Sequence, residues 1–420
     1  MPHHMPLLAT LVFALTAALL LGVAARKLRL PPLVGYLVAG MLIGPHTPGL
    51  NGDLAVAGEL SEIGIILLMF GVGLHFSPQE LAEARGVAVP GALAGMTVVS
   101  LLGWGAAQLW GWTAGQGLVF GISLSVASTV VVLRTLQERE ELETPQGHTA
   151  VGWLVVEDLA MVLALVLVPV AAGLLDGRAP GGMPGGEGLL LYMLLTLGKV
   201  AVFVLLMLLV GTRVLPLALS MIGALRSREL FSLAALVGAL GVAFAAYSLF
   251  GVSFALGAFL SGMVLGQSTL SQKAAEQTLP LRDAFAVLFF VSVGMLFDPG
   301  ILVRQPLALA ASVLIVVCGK AGTAWAVARA RGMSGREARS LGAALAQIGE
   351  FSFILAGLGV AEGVLPPAGR DLVLATALLT IALNPAVFHL ADRIAARQAE
   401  GHAPDRVTAP ASSSVSGSAR

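Results

Sequence analysis

Residues 152–162 read GWLVVEDLAMV: Gly-Trp-Leu-Val-Val-Glu-Asp-Leu-Ala-Met-Val. Two adjacent carboxylates, Glu157 and Asp158, sit inside an apolar run that continues on both sides. A charged side chain at bilayer depth costs at least ~2.5–3.5 kcal/mol on insertion scales. A chain that puts two such groups in a span must compensate them with a partner, a water-filled cavity or a proton. That requirement organises the rest of the sequence.

Composition establishes that the run is a span. The chain has 420 residues, 57% of them hydrophobic and only 11% charged, against about 25% charged in soluble domains. Its apolar blocks are long enough to cross a bilayer and lack the short alternation of a barrel. The expected fold is an all-α polytopic membrane protein. Breaks at charge clusters, Pro and Gly delimit about 13 transmembrane helices. They fall at roughly 6–25, 31–45, 57–76, 87–109, 115–135, 148–173, 188–212, 229–247, 251–268, 281–298, 306–328, 338–361 and 371–392. The first block has no basic leader and no cleavage site, so it reads as a retained span. Residues 1–395 form one transmembrane domain, and 396–420, ending APASSSVSGSAR, a disordered cytoplasmic tail. The Gly/Pro-rich stretch 176–188 reads as an external loop between two halves.

Of the 24 Lys and Arg residues, nineteen fall in loops on one side of this topology. Arg178, Arg304 and Arg370 fall on the other, and Lys199 and Lys320 lie within spans. The positive-inside rule then puts the amino terminus outside and the carboxyl terminus in the cytoplasm, in the cell (inner) membrane. The net charge is zero, which points to no acidic partner such as nucleic acid. The single cysteine, Cys318, excludes an internal disulfide or thiol metal cluster and reads as a small buried hydrophobe.

Four charges share a depth. At ~1.5 Å per residue, Glu157 and Asp158 lie roughly 15 Å from one surface, Glu350 roughly 18 Å, and Lys320 roughly 21 Å from the other, in a core of ~30 Å. Neighbouring helical residues differ by about 100°, so one acid can meet a partner helix while the other faces a cavity. Lys320 is the expected countercharge, and Gly319 and Gly322 beside it would let another backbone approach. The alternative is a stabilising ion pair with no transport role, although such a pair in a membrane rarely offsets its desolvation. Lys199 divides between packing and function. His75 ends the third span at the cytoplasmic interface, with pH sensing as its alternative role.

Two spans read as interrupted helices. One is GISLSVASTVVVLRTL, Gly121 to Leu136, with Ser128 and Thr129; the other is LAQIGEFSFILAGLG, Leu345 to Gly359, with Gln347 and Glu350. Hydroxyls can re-satisfy backbone groups freed at a break, although helix packing by small residues also explains the hydroxyl cluster. Polar, interrupted segments in corresponding places of two halves point to the binding site of a secondary transporter with inverted repeats.

Six motifs in order carry a resemblance. They are PPLVGYLVAGMLIGPHTPG (31–49), GIILLMFGVGLHFS (64–77), LSVASTVVVLRTL (124–136), VVEDLAMV (155–162), LPLRDAFAVLFFVSVGMLFDP (279–299) and LAQIGEFSFIL (345–355). With them the chain resembles the Kef-type monovalent cation:proton antiporters, the proton antiporter-2 family, to about residue 395. The resemblance implies a scaffold-and-core, sodium/proton exchanger-like architecture of inverted repeats with two crossed broken helices, usually as a homodimer. It implies Asp158 as the cation- and proton-binding carboxylate, Glu157 paired with Lys320, and Ser128 and Thr129 at the crossing of the broken helices. Many Kef-type members have Gln before the core Asp, where this chain has Glu157. Many also carry a cytoplasmic nucleotide-binding domain; none follows these motifs here, so regulation by nucleotide or glutathione is not expected to transfer.

The resulting expectation is a secondary antiporter exchanging K+ or Na+ for protons by alternating access, with Asp158, Glu157 and Lys320 at the ion site. A ligand-gated K+ efflux channel of the Kef type is the alternative. The sequence shows no nucleophile elbow, zinc signature or phosphate-binding loop, so neither an enzyme nor a cofactor is expected, and the only metal is the monovalent cation at Asp158. Expected partners are H+, the cation, the lipid bilayer and a second copy of the chain, leaving open a separate regulatory subunit.

Overall fold

The computed structural model describes residues 6–28, 30–47, 52–75, 86–142, 144–175, 195, 198–268 and 270–400. Regular structure among them is entirely helical. The first half runs α1 (Pro6–Lys27), α2 (Pro32–Ile43), α3 (Leu54–His75), α4 (Ala88–Leu109), α5 (Ala114–Ser123), α6 (Thr129–Glu138) and α7 (Pro145–Leu175). The second runs α8 (Gly198–Ala224), α9 (Arg228–Phe250), α10 (Phe254–Gly266), α11 (Ser271–Met295), α12 (Pro306–Ala330), α13 (Gly335–Leu345), α14 (Glu350–Ala361) and α15 (Pro367–Glu400).

The expected count of about 13 spans is corrected. Among the described residues nine helices are long and apolar enough to cross a membrane, or ten if α13 and α14, bent by 40° at their break, count as one. The shortfall has physical causes. Helices α2 and α10 have 12 and 13 residues, about 18–20 Å at 1.5 Å per residue, well short of a ~30 Å core. The expected fifth span is two ten-residue helices, α5 and α6. The 176–188 loop lies outside the described residues, as does the tail beyond Glu400, to which α15 extends.

One part of the bundle is held by close apolar contact. Helix α3 packs along α10 and α11, and α2 along α11. A Cβ on Gly73 would strike the carbonyl oxygen of Phe259, and one on Gly262 that of Phe70. Only hydrogen at these positions lets the two backbones meet, the usual device where lipid removes the hydrophobic drive for helix association. A buried hydroxyl here, Ser261 Oγ, donates to the Gly238 carbonyl of α9 at 2.8 Å. Exposed Leu19, Leu208, Leu233 and Phe244 on α1, α8 and α9 form the apolar outer surface that a bilayer solvates.

The other part is different in kind. The buried charged side chains among the described residues are Glu157, Asp158, Lys320, Glu350 and Asp371, on α7, α12, α14 and α15.

Candidate ion site at two touching helix breaks

The first break follows from serines. Ser123 Oγ donates to the Val119 carbonyl at 2.8 Å and Ser125 Oγ to that of Ile122 at 2.7 Å. Such back-bonding competes with continuation of a helix, and α5 ends at Ser123. Ser128 then caps α6, its Oγ accepting from the Val131 N–H at 3.3 Å. The second break places Gly349 in extended conformation as the residue before α14.

The two breaks lie against each other. The Gly349 N–H donates to the Val126 carbonyl at 3.2 Å. The Gln347 side chain takes both backbone groups of Ser128, accepting its N–H at 3.2 Å and donating to its carbonyl at 3.3 Å. Gln347 thus stands in for a peptide group, and backbone polar groups far from water find partners. A Cβ on Gly349 would collide with the Ser128 backbone, so the contact depends on glycine.

Charges are arranged around this crossing. Glu157 is 1% exposed, and its carboxylate is fully engaged. Oε2 accepts from the Ala127 N–H at 2.6 Å, Oε1 from the Trp153 indole at 2.9 Å, and Lys320 Nζ lies 3.4 Å from Oε2. Lys320 also donates to the Ser125 carbonyl at 2.7 Å. The ammonium therefore sits at the carbonyl end of α5 and the carboxylate at the amide end of α6, each opposite in sign to the helix terminus it meets. A π-helical turn, Ile315–Lys320, sets the register of the lysine; such turns recur at functional sites.

Asp158 has no cation among the ion pairs described. Its Oδ2 accepts from Thr129 Oγ1 at 3.1 Å, while Oδ1 is buried and accepts no hydrogen bond. Glu350 Oε2 accepts from Ser128 Oγ at 3.1 Å. The structure thus gathers Glu157, Asp158, Lys320, Ser128, Thr129, Gln347 and Glu350 in one place. A cavity of about 500 Å³, lined by Arg26, Val131, Thr135, Glu138, Arg139 and Asn384 among others, runs along α6 to within two residues of Thr129.

Other expectations fall elsewhere. Lys199 is exposed on α8. Cys318 is exposed and not a buried hydrophobe; two residues along a helix from inward-facing Lys320, it turns to the opposite face. Gly319 meets only the side chains of Val99 and Leu102, and Gly322 meets open space, so neither admits a neighbouring backbone. Helix α3 ends at His75, whose side chain lies outside the described residues. Trp153 was missed. Its signal was its position, one helical turn before Glu157 and hence on the same face.

Comparison with known proteins now decides the family. Residues 11–390 match the transmembrane domain of sodium/hydrogen exchangers. The chain belongs to that family. It is 53% identical over 397 residues to the putative cation/proton antiporter YbaL of Escherichia coli (strain K12), covering 94% of this chain and 70% of that protein. It is 33% identical to K(+) efflux antiporter 4 of Arabidopsis thaliana, over 91% of this chain and 64% of that protein. The Kef-type reading of the six motifs stands. The sodium proton antiporter MjNhaP1 from Methanocaldococcus jannaschii superposes with a TM-score of 0.70, covering 92% of this chain and 98% of that one at 16% identity, a likeness of fold. As a member of the sodium/hydrogen exchanger family the chain is a multi-pass secondary transporter and not an enzyme.

Proposed function

We propose that this exchanger-family chain moves a monovalent cation, K+ or Na+, against protons by competition at one carboxylate, Asp158. The observation that carries the reading is the unequal treatment of two adjacent acids. Glu157 has every oxygen engaged by Lys320, Trp153 and the Ala127 amide. Asp158 is equally deep but has one hydroxyl donor and a free oxygen. A buried anion without a fixed partner is the group that must take up a proton or an ion. Proton and cation need the same oxygens, so occupancy by one excludes the other, and that exclusion is the coupling. Glu157 and Lys320 hold the break open at a fixed geometry.

The cavity along α6 supplies the access path on one side, and alternating access requires the opposite side to open in turn. Loop charge puts the carboxyl terminus in the cytoplasm of a cell membrane, so this path faces inward. The names of the relatives, a cation/proton antiporter and a K+ efflux antiporter, support the cargo class. A homodimer, and a separate regulatory subunit, belong to the same proposal through the family resemblance.

The test is exchange in proteoliposomes with K+, Na+ and Li+ at several pH values. Asp158→Asn is expected to abolish cation-dependent proton movement. Flux without obligatory coupling to the pH gradient would favour a gated channel instead.

A further inference from the structure

The site holds more negative charge than its lysine can balance. Glu157, Asp158 and Glu350 are 1%, 7% and 3% exposed, and Lys320 is the one buried cation among the described residues. Lys320 is committed to Glu157 and to the Ser125 carbonyl. Among the described residues, two carboxylates, Asp158 and Glu350, are therefore left without a fixed cation at the crossing.

These two are presented as a pair. Consecutive residues at the start of α6 hold them: Thr129 Oγ1 donates to Asp158 Oδ2 and Ser128 Oγ to Glu350 Oε2, each at 3.1 Å. Asp158 comes from the continuous helix α7 and Glu350 is the first residue of α14, and the residues that hold them, Thr129 and Ser128, lie at the first break. Asp158 Oδ1, in a side chain more than nine-tenths buried, accepts no hydrogen bond. Two carboxylates held by adjacent residues in one buried site need something positive to compensate them, and hard monovalent cations take oxygen ligands from carboxylates and hydroxyls.

We propose that Glu350 is a second cargo-binding carboxylate, so that the transported cation is shared between Asp158 and Glu350 across the two helix breaks. This rests on Asp158 being the exchange site. An ion held from both sides ties α14 to α7, and its release frees them to move apart. The rival role for Glu350 is a fixed countercharge at the amide ends of α6 and α14. That role would affect folding and not ion affinity.

The experiment measures exchange by the full chain in proteoliposomes against Na+ and K+ concentration at fixed pH, beside thermal melts of the purified protein with and without each cation. Glu350→Gln is expected to raise the half-saturating cation concentration by about tenfold or more, since loss of even an outer-shell partner costs a metal site 10–100-fold. It is also expected to shrink the cation-induced rise in melting temperature. Glu350→Asp, which keeps the charge on a shorter arm, is expected to exchange with an altered ratio of Na+ to K+ half-saturation. Lower melting temperature in E350Q with an unchanged half-saturating concentration would overturn the proposal. If E350Q does not fold, wild-type half-saturation for both ions in E350D overturns it. Asp158→Asn separates the two levels. Exchange surviving in D158N removes the underlying site reading and this inference with it. Exchange lost in D158N but with unchanged cation affinity in E350Q removes this inference alone.

Discussion

The contact of α3 with α10 and the crossing of the two helix breaks solve one problem in opposite ways. Both bring backbones together through glycine, Gly73 and Gly262 in the first and Gly349 in the second. In the first, the helices are continuous, the surroundings apolar, and the buried hydroxyl of Ser261 is satisfied by a carbonyl of the neighbouring α9. In the second, the helices are broken, and backbone groups are satisfied by Gln347, Glu157 and Lys320 across the chain. The first arrangement needs only one backbone carbonyl from a neighbouring helix. The second is stable only while a specific set of polar partners stays in place, and it leaves Asp158 with a spare oxygen. On the proposed reading, rigidity and exchange are segregated in one bundle.

The largest expected effect attacks the polar set directly. Removing one member of a buried pair leaves the other uncompensated, at a cost of about 3–5 kcal/mol. Lys320→Met or Glu157→Met alone should therefore destabilise strongly, and the double substitution Lys320→Met with Glu157→Met should destabilise less than the two singles combined. Denaturation in detergent measures this; additive losses would mean that the two side chains do not act as a unit.

Next comes Trp153→Phe, which removes the indole hydrogen bond to a charged group and trims the ring atoms that lie against Gly91. A loss of about 1.5–3 kcal/mol is expected. A melting curve indistinguishable from the parent would show that the indole does not hold Glu157.

The glycines sharpen the contrast between the two regions. Gly349→Ala and Gly73→Ala both overpack, each by an expected ~1–3 kcal/mol. Only Gly349→Ala should slow exchange per folded molecule, since Gly73 lies outside the site. Equal transport loss in both would erase the proposed division of labour.

The smallest effect lies outside the membrane-spanning segments. Arg304, with help from the Gly300 N–H at 2.8 Å, holds the Asp298 carboxyl below its usual range. A depressed folded-state value adds stability above the unfolded value of ~3.9, and that increment is lost as pH falls through the folded-state value. Asp298→Asn should therefore flatten the acid limb of a melting-temperature profile slightly and leave neutral exchange unchanged. An acid limb as steep as the parent's would show that this carboxyl carries none of it.

Much of this was legible in the sequence because membrane charge is rare enough to be informative. The depth of Glu157, Asp158, Lys320 and Glu350, and the polar stretches around Ser128 and Gln347, could be counted along the chain. The span number could not. Apolar blocks do not announce where a helix stops, so the short helices α2 and α10 read as full crossings, whereas the break at Ser123–Thr129 is legible from its hydroxyls. Side-chain facing was also hidden where a π-helical turn shifts the register, as before Lys320. The Trp153 hydrogen bond was available from spacing alone, but tryptophan in a span reads first as apolar packing.

The unequal roles of two neighbouring acids are tested most directly by Asp158→Asn in proteoliposomes, with a proton-sensitive dye and pulses of K+ or Na+. The expected result is folded protein with no cation-dependent proton movement. Coupled exchange at the parent rate would contradict it, and would return the exchangeable charge to Glu157 or Glu350.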